Sequence, residues 1–207
     1  MLICFEGPSA VGKTTLSQAL SETHQIIPEV NLLFERPPGA DKLWYYQRQV
    51  DRYQLSQQTD RSSILDGDPF QPLWYNWIYG WPESFASFEE TKAFYRAALQ
   101  DERIRFPDLY VIFQADEQSL RARKAKDLTR KRRNFEKHLR MIEPQRRYFD
   151  FLQKRTPIPV LFVPFHSLAQ VKAAIHPSLS LPRPPVSNPD SVLETIFDWL
   201  EKTQVHP

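Results

Sequence analysis

Residues Phe5 to Thr15 read Phe-Glu-Gly-Pro-Ser-Ala-Val-Gly-Lys-Thr-Thr, and no other run limits the possible folds of this chain as tightly. Gly7, four intervening residues and Gly12-Lys13-Thr14 form a phosphate-binding loop, a motif that requires a strand before it and a helix after it. Both are in place: Leu2 to Glu6 is an apolar strand, and a helix is expected from Lys13 to about His24. The chain holds only five glycines, and two of them occupy the required positions. Gly7 and Gly12 permit a backbone whose successive N–H groups curl around a polyphosphate, and the helix N-terminus adds its positive dipole end. The expected nucleotide-binding residues are therefore Gly7, Ser9, Ala10, Val11, Gly12, Lys13, Thr14 and Thr15, with Lys13 on the outer phosphates and the Thr14 hydroxyl on Mg²⁺.

The remaining pattern alternates strands with helices, which argues for an α/β protein with a parallel sheet covered on both faces. Further strands are expected at Gln25 to Ile27, Ser62 to Asp66, Leu109 to Gln114 and Val160 to Val163. Helices are expected at about Asp41 to Thr59, Ser87 to Arg105, from Glu117 onward, at Asn134 to Gln153, Ala169 to Ile175 and Ser191 to Lys202. Pro69 to Pro82 reads as irregular and aromatic, and Pro177 to Pro189, with five prolines in thirteen residues, reads as a loop or strap. The 207 residues suit one domain, residues 1–207, with the last helix docked back on the sheet.

Composition narrows the partners. There are 27 Lys and Arg against 25 Asp and Glu, a balance that disfavours a nucleic-acid binder. The single cysteine, Cys4, excludes an internal disulfide and fits a reducing, cytoplasmic compartment. No segment is apolar enough to cross a bilayer, and no group of four Cys or His residues suggests zinc. A homodimer is left open by these data.

In open α/β sheets ligands gather at the carboxyl ends of strands, so acids at strand tips carry information. Glu29 follows the second strand, where a carboxylate suits the general base that deprotonates an attacking hydroxyl. Asp66 ends the third strand and suits Mg²⁺; Asp68 either shares that role or serves the Asp-Gly-Asp-Pro turn. Eight Lys or Arg lie between Arg121 and Arg133, and a lid at about residues 121–134 would deliver Arg123, Arg130 and Arg132 to the transferring phosphoryl group. Four of the five tryptophans fall between residues 44 and 81, in an aromatic-rich stretch. Trp44, Tyr46 and Phe70 are the members expected beside the acceptor, whose pocket would suit a ring compound.

These residues resemble those of the P-loop nucleoside and nucleotide kinases, above all the deoxynucleoside and thymidylate kinase group. The resemblance rests on Phe5 to Thr15, on Pro28-Glu29-Val30, on Gln47 after Tyr46, and on the Arg-rich stretch followed by Phe135-Glu136-Lys137-His138-Leu139. It spans roughly residues 1 to 165 and implies a three-layer fold with sheet order 2-3-1-4-5, Mg²⁺-ATP as donor, Glu29 as base and Gln47 as a contact to a nucleobase. One departure stands out: that group follows the third strand with an acid and then an arginine, whereas Gly67 follows Asp66 here. The expected activity is transfer of a γ-phosphate to a small ring-bearing acceptor, either a nucleoside or nucleotide or an antibiotic-type alcohol. A nucleotide-dependent regulatory NTPase associated with nucleic acid is the competing class.

Overall fold

A computed structural model describes residues 1–127 and 134–203. Five strands form one sheet: β1 (Leu2–Glu6), β2 (Gln25–Ile27), β3 (Ser63–Asp66), β4 (Leu109–Gln114) and β5 (Val160–Pro164). All neighbours are parallel, in the order β2-β3-β1-β4-β5. Parallel strands need crossover connections, which here are helices on both faces, so the strands are apolar on both sides. Leu2 and Cys4 of β1 face one core with Leu65 and Tyr110, while Ile3 and Phe5 face the other with Ile64 and Val111.

Helices α1 (Lys13–Gln18), α6 (Glu117–Lys126), α7 (Phe135–Arg140) and α9 (Leu168–Ser180) contribute to the second core. Helices α3 (Trp44–Ser56), α4 (Gln71–Ile78), α5 (Phe88–Gln100), α8 (Ile142–Arg155) and α10 (Pro189–Lys202) fill the first, and α2 (Val30–Leu33) is a single turn after β2. The order makes β1 the central strand, flanked by β3 and β4. The crevice between their connections opens at the carboxyl ends, directly over the loop that follows β1.

The expected strands agree with these to within a residue. The helices differ in instructive ways. Residues 69–82 contain α4 rather than an irregular run, because Pro72 lies in its first turn, where a missing N–H costs nothing, and Trp74, Trp77 and Ile78 bury its face. The expected helix at 134–153 is two, α7 and α8, broken at Met141. Pro144 explains the break, since its ring excludes the Arg140 carbonyl one turn earlier. α9 runs through Pro177 to Ser180, so the proline-rich strap shrinks to residues 181–188. There the proline removes a single bond near the helix end. α10 packs on α5, where Phe88 meets Phe197 edge to face and Arg96 pairs with Glu194, and its apolar face joins the core on that side of the sheet. α5 itself starts at a capping box, with Ser87 Oγ accepting from the Glu90 N–H and Glu90 returning the bond.

Candidate active site

The phosphate-binding loop sits between β1 and α1 with the geometry its glycines allow. Gly7 has φ +142°, and a Cβ there would lie 2.5 Å from the Phe113 carbonyl oxygen; Gly12 has φ +112°, and a Cβ there would strike the Phe165 ring at 2.8 Å. Lys13 Nζ donates to the Gly7 carbonyl at 2.8 Å, so the ammonium lies across the mouth of the loop. The loop residues 7–15 line a cavity of about 740 Å³. The strand-tip acids Glu6, Glu29 and Asp66 line the same cavity.

Beneath the loop, the Thr14 hydroxyl donates to Asp66 Oδ2 at 2.7 Å, while Asp66 Oδ1 is buried with no hydrogen-bond partner among the described residues. An anionic oxygen buried without a donor is costly. A hard cation held between Thr14 and Asp66 would relieve it, and two oxygen ligands suit Mg²⁺, which keeps its remaining waters. The donor set therefore fits the metal. Burial lifts the Asp66 pKa, with the Glu29 charge adding to the rise, against Lys13, Thr14 and Arg52. Glu29 stands at the N-cap position of α2, yet its side chain makes no capping bond and turns to the cavity.

Two buried groups that the strand-tip reading overlooked organise these acids. Glu6, 3 % exposed, accepts from the Gly7 N–H at 2.8 Å, from the Asp68 N–H at 3.0 Å and from Gln145 Nε2 at 3.2 Å. Burial raises its pKa, opposed first by Lys13. Its signal was present: β1, like β3, ends on an acid. Arg52, fully buried on α3, donates to the carbonyls of Pro28 (2.7 Å), Asp66 (2.8 Å) and Gly67 (3.2 Å) and to Gln49 Oε1 (2.5 Å). It thus ties the tip of β2, which carries Glu29, to the tip of β3, which carries Asp66. Burial pulls the guanidinium pKa down, and the surrounding Asp66, Glu29 and Glu6 charges hold it up. Arg52→Met is expected to lower the unfolding free energy by about 3 kcal/mol, because several carbonyls at the strand tips lose a charged donor. Urea denaturation checks this, and a loss below about 1 kcal/mol would contradict the clamp.

Asp68 belongs to the core. Its Oδ1 accepts from the Phe70 N–H (2.9 Å) and the Tyr110 hydroxyl (2.8 Å), and its Oδ2 accepts from Trp74 Nε1 (2.8 Å). Burial pushes its pKa from 3.8 up to about 7. The folded state thus holds this proton more tightly than the unfolded chain. The stability it adds is complete below about pH 4 and is lost as pH rises through about 7. Compared with Asp68→Asn, the native protein should lose melting temperature more steeply between about pH 4 and 7; parallel profiles would contradict the assignment.

The remaining expected site residues divide. Tyr46 lines the cavity, its hydroxyl bonded to Thr91 and Asn76 and its pKa raised by burial to about 12. Gln47 does not line it: its amide donates to Asp51 Oδ1 at 3.1 Å. Two residues turn a helix by about 200°, so Gln49, not Gln47, faces the cavity. Trp44 is absent from the walls and meets Tyr45 edge to face. Phe70 is fully buried between Tyr95 and Phe106, with ring centroids at 5.0 and 4.4 Å, and is a core residue. Arg123 lines a smaller, adjacent cavity of about 470 Å³. It donates to the Val11 and Phe165 carbonyls at 2.9 and 2.5 Å, which braces the loop from outside. Arg130 and Arg132 lie in the part of the expected lid, residues 128–133, that is outside the described residues.

No family model and no curated protein matches the sequence. Solved structures do match, and they define the fold: the chain has the fold of the P-loop nucleoside and nucleotide kinases. It is similar to a deoxyadenosine kinase from M. mycoides with bound dATP, with a TM-score of 0.59 over 87 % of this chain and 100 % of that one, at 14 % identity. It is also similar to thymidylate kinases from Candida albicans (TM-score 0.57, 16 % identity, 86 % and 90 % covered) and Ehrlichia chaffeensis (0.53, 18 %, 87 % and 98 %). No helix among the described residues is long and apolar enough to cross a membrane.

Proposed function

We propose that this protein is an ATP-dependent, Mg²⁺-requiring kinase that phosphorylates a hydroxyl of a small ring-bearing acceptor, with nucleosides and nucleotides as the first class to consider. The observation that carries the reading is the convergence of the loop, the Thr14–Asp66 pair with its bare Oδ1, and the uncapped Glu29 on one cavity. The kinase names of the proteins that share the fold support it.

When bound, Mg²⁺-ATP supplies the phosphoryl group and a diphosphate that leaves as ADP. The chain's own residues do the rest. The loop amides and Lys13 hold the phosphate tail and neutralise charge on it. Thr14 and Asp66 would hold the metal. Glu29 takes the proton from the acceptor hydroxyl as its oxygen bonds to the γ-phosphorus and the bond to the bridging oxygen breaks. Arg52 keeps the two acids at a fixed spacing, and Gln49, Tyr46 and Tyr75 wall the acceptor space. Arginines beyond Asp127 would deliver further positive charge to the phosphoryl group. A reducing, cytoplasmic setting suits the lone buried Cys4.

A coupled ADP-release assay tests the reading. Turnover should be negligible with Mg²⁺-ATP alone and appear on addition of the right nucleoside, nucleotide or ring alcohol, because a closed site excludes water. Steady acceptor-independent hydrolysis, stimulated by polynucleotide, would instead point to a regulatory NTPase.

A further inference from the structure

Glu6 has acceptor capacity that the fold does not use. An ionised carboxylate offers about four acceptor positions. Among the described residues three are taken, by the Gly7 N–H and Gln145 on Oε1 and by the Asp68 N–H on Oε2. The remaining position is on Oε2, and Glu6 lines the large cavity despite its burial. The backbone beside it explains how. A Cβ built on Gly67 would meet only Glu6 Oε2 and Glu29 Cγ, each at 4.0 Å, apart from its chain neighbours. Glu6 and Glu29 therefore flank one open volume, which a side chain at position 67 would fill.

We propose that Glu6 is a substrate-contacting residue: through Oε2 it accepts a hydrogen bond from a second hydroxyl, or a protonated amine, of the molecule whose reacting hydroxyl faces Glu29. The inference rests on the kinase reading and deepens it. The acceptor is then a sugar-bearing or amino-alcohol compound rather than a simple ring alcohol. A carboxylate only accepts, so an acceptor with a hydrogen at the second position is bound and one with bare carbon there leaves Oε2 desolvated and unsatisfied.

The experiment compares 2′-deoxynucleosides with 2′,3′-dideoxynucleosides and 3′-amino-2′,3′-dideoxynucleosides of the same bases, by kcat/KM for ADP release. The native protein should favour the 3′-hydroxyl and 3′-amino compounds over the dideoxy ones by about 10- to 100-fold. In Glu6→Gln this ratio should fall to about one, because the amide must turn an N–H toward one of its existing donors or toward the substrate. A purely structural Glu6 would lower all rates alike and keep the ratio, which would overturn the proposal. If the native protein releases ADP with no acceptor, the kinase reading fails by itself. Calorimetric binding of the same compounds to protein saturated with a non-hydrolysable ATP analogue then decides the Glu6 contact. A preference for the 3′-hydroxyl compound that is lost in Glu6→Gln upholds it; equal affinities, or no binding, overturn it.

Discussion

Replacing Glu29 by Gln is expected to lower kcat by about 10²- to 10⁴-fold, the range lost with a general base, while ATP affinity changes little. The substitution keeps size and polarity and removes only the ability to take a proton. Glu29 is suited to the role by what it does not do: at the N-cap of α2, where a side chain would ordinarily cap the helix, it makes no such bond. Its backbone is fixed instead by its neighbour, since the Pro28 carbonyl accepts from Arg52 at 2.7 Å. Single-turnover transfer with the best acceptor, beside nucleotide titration of both proteins, measures the effect. An unchanged kcat would remove Glu29 from the mechanism.

Asp66→Asn is expected to raise the Mg²⁺ concentration needed for half-maximal activity by about 10- to 100-fold. The carboxamide can still accept the Thr14 hydroxyl bond through its oxygen, but it then turns an NH₂ toward the metal position that Oδ1 leaves open. Because burial raises the Asp66 pKa, activity of the native protein should also decline on the acid side at low Mg²⁺ and recover as the metal is raised, since the cation favours the ionised carboxylate. An Mg²⁺ titration at two pH values on each protein separates these effects. Identical metal dependence in native and variant proteins would place the ion elsewhere.

Much of the fold was legible because it depends on local pattern. The strands are short apolar runs bounded by breakers, and the loop motif demanded β1 and α1 around it. What escaped depended on a single proline or on which way a helix faces. Pro144 splits α7 from α8, whereas Pro72 and Pro177 are tolerated because they occupy a first turn and a last turn. In the site, position alone puts the loop and the strand-tip acids Glu29 and Asp66 at one crevice, and all of them line the same cavity. Glu6 obeyed the same rule as Asp66. Arg52 and Gln49 were harder, yet Gln49, Arg52 and Ser56 follow i, i+3, i+7 spacing and form a polar stripe on the buried face of α3. Polar residues on an inward stripe mark a built site. Phe70 misled because a large aromatic next to an acid is as useful to a core as to a pocket, and only its stacking between Tyr95 and Phe106 decides.

The central claim is a nucleotide whose phosphates lie in the amides of residues 7–15 while strand-tip carboxylates close on its outer end. A crystal structure with Mg²⁺ and a non-hydrolysable ATP analogue tests it most directly. The expected result places the metal on Thr14 Oγ1 and Asp66 Oδ1, with Lys13 released from the Gly7 carbonyl onto the phosphates and Glu29 facing the γ-phosphorus across open space. A metal bound away from Thr14 and Asp66, or a loop that holds no phosphate with Lys13 still on Gly7, would contradict it.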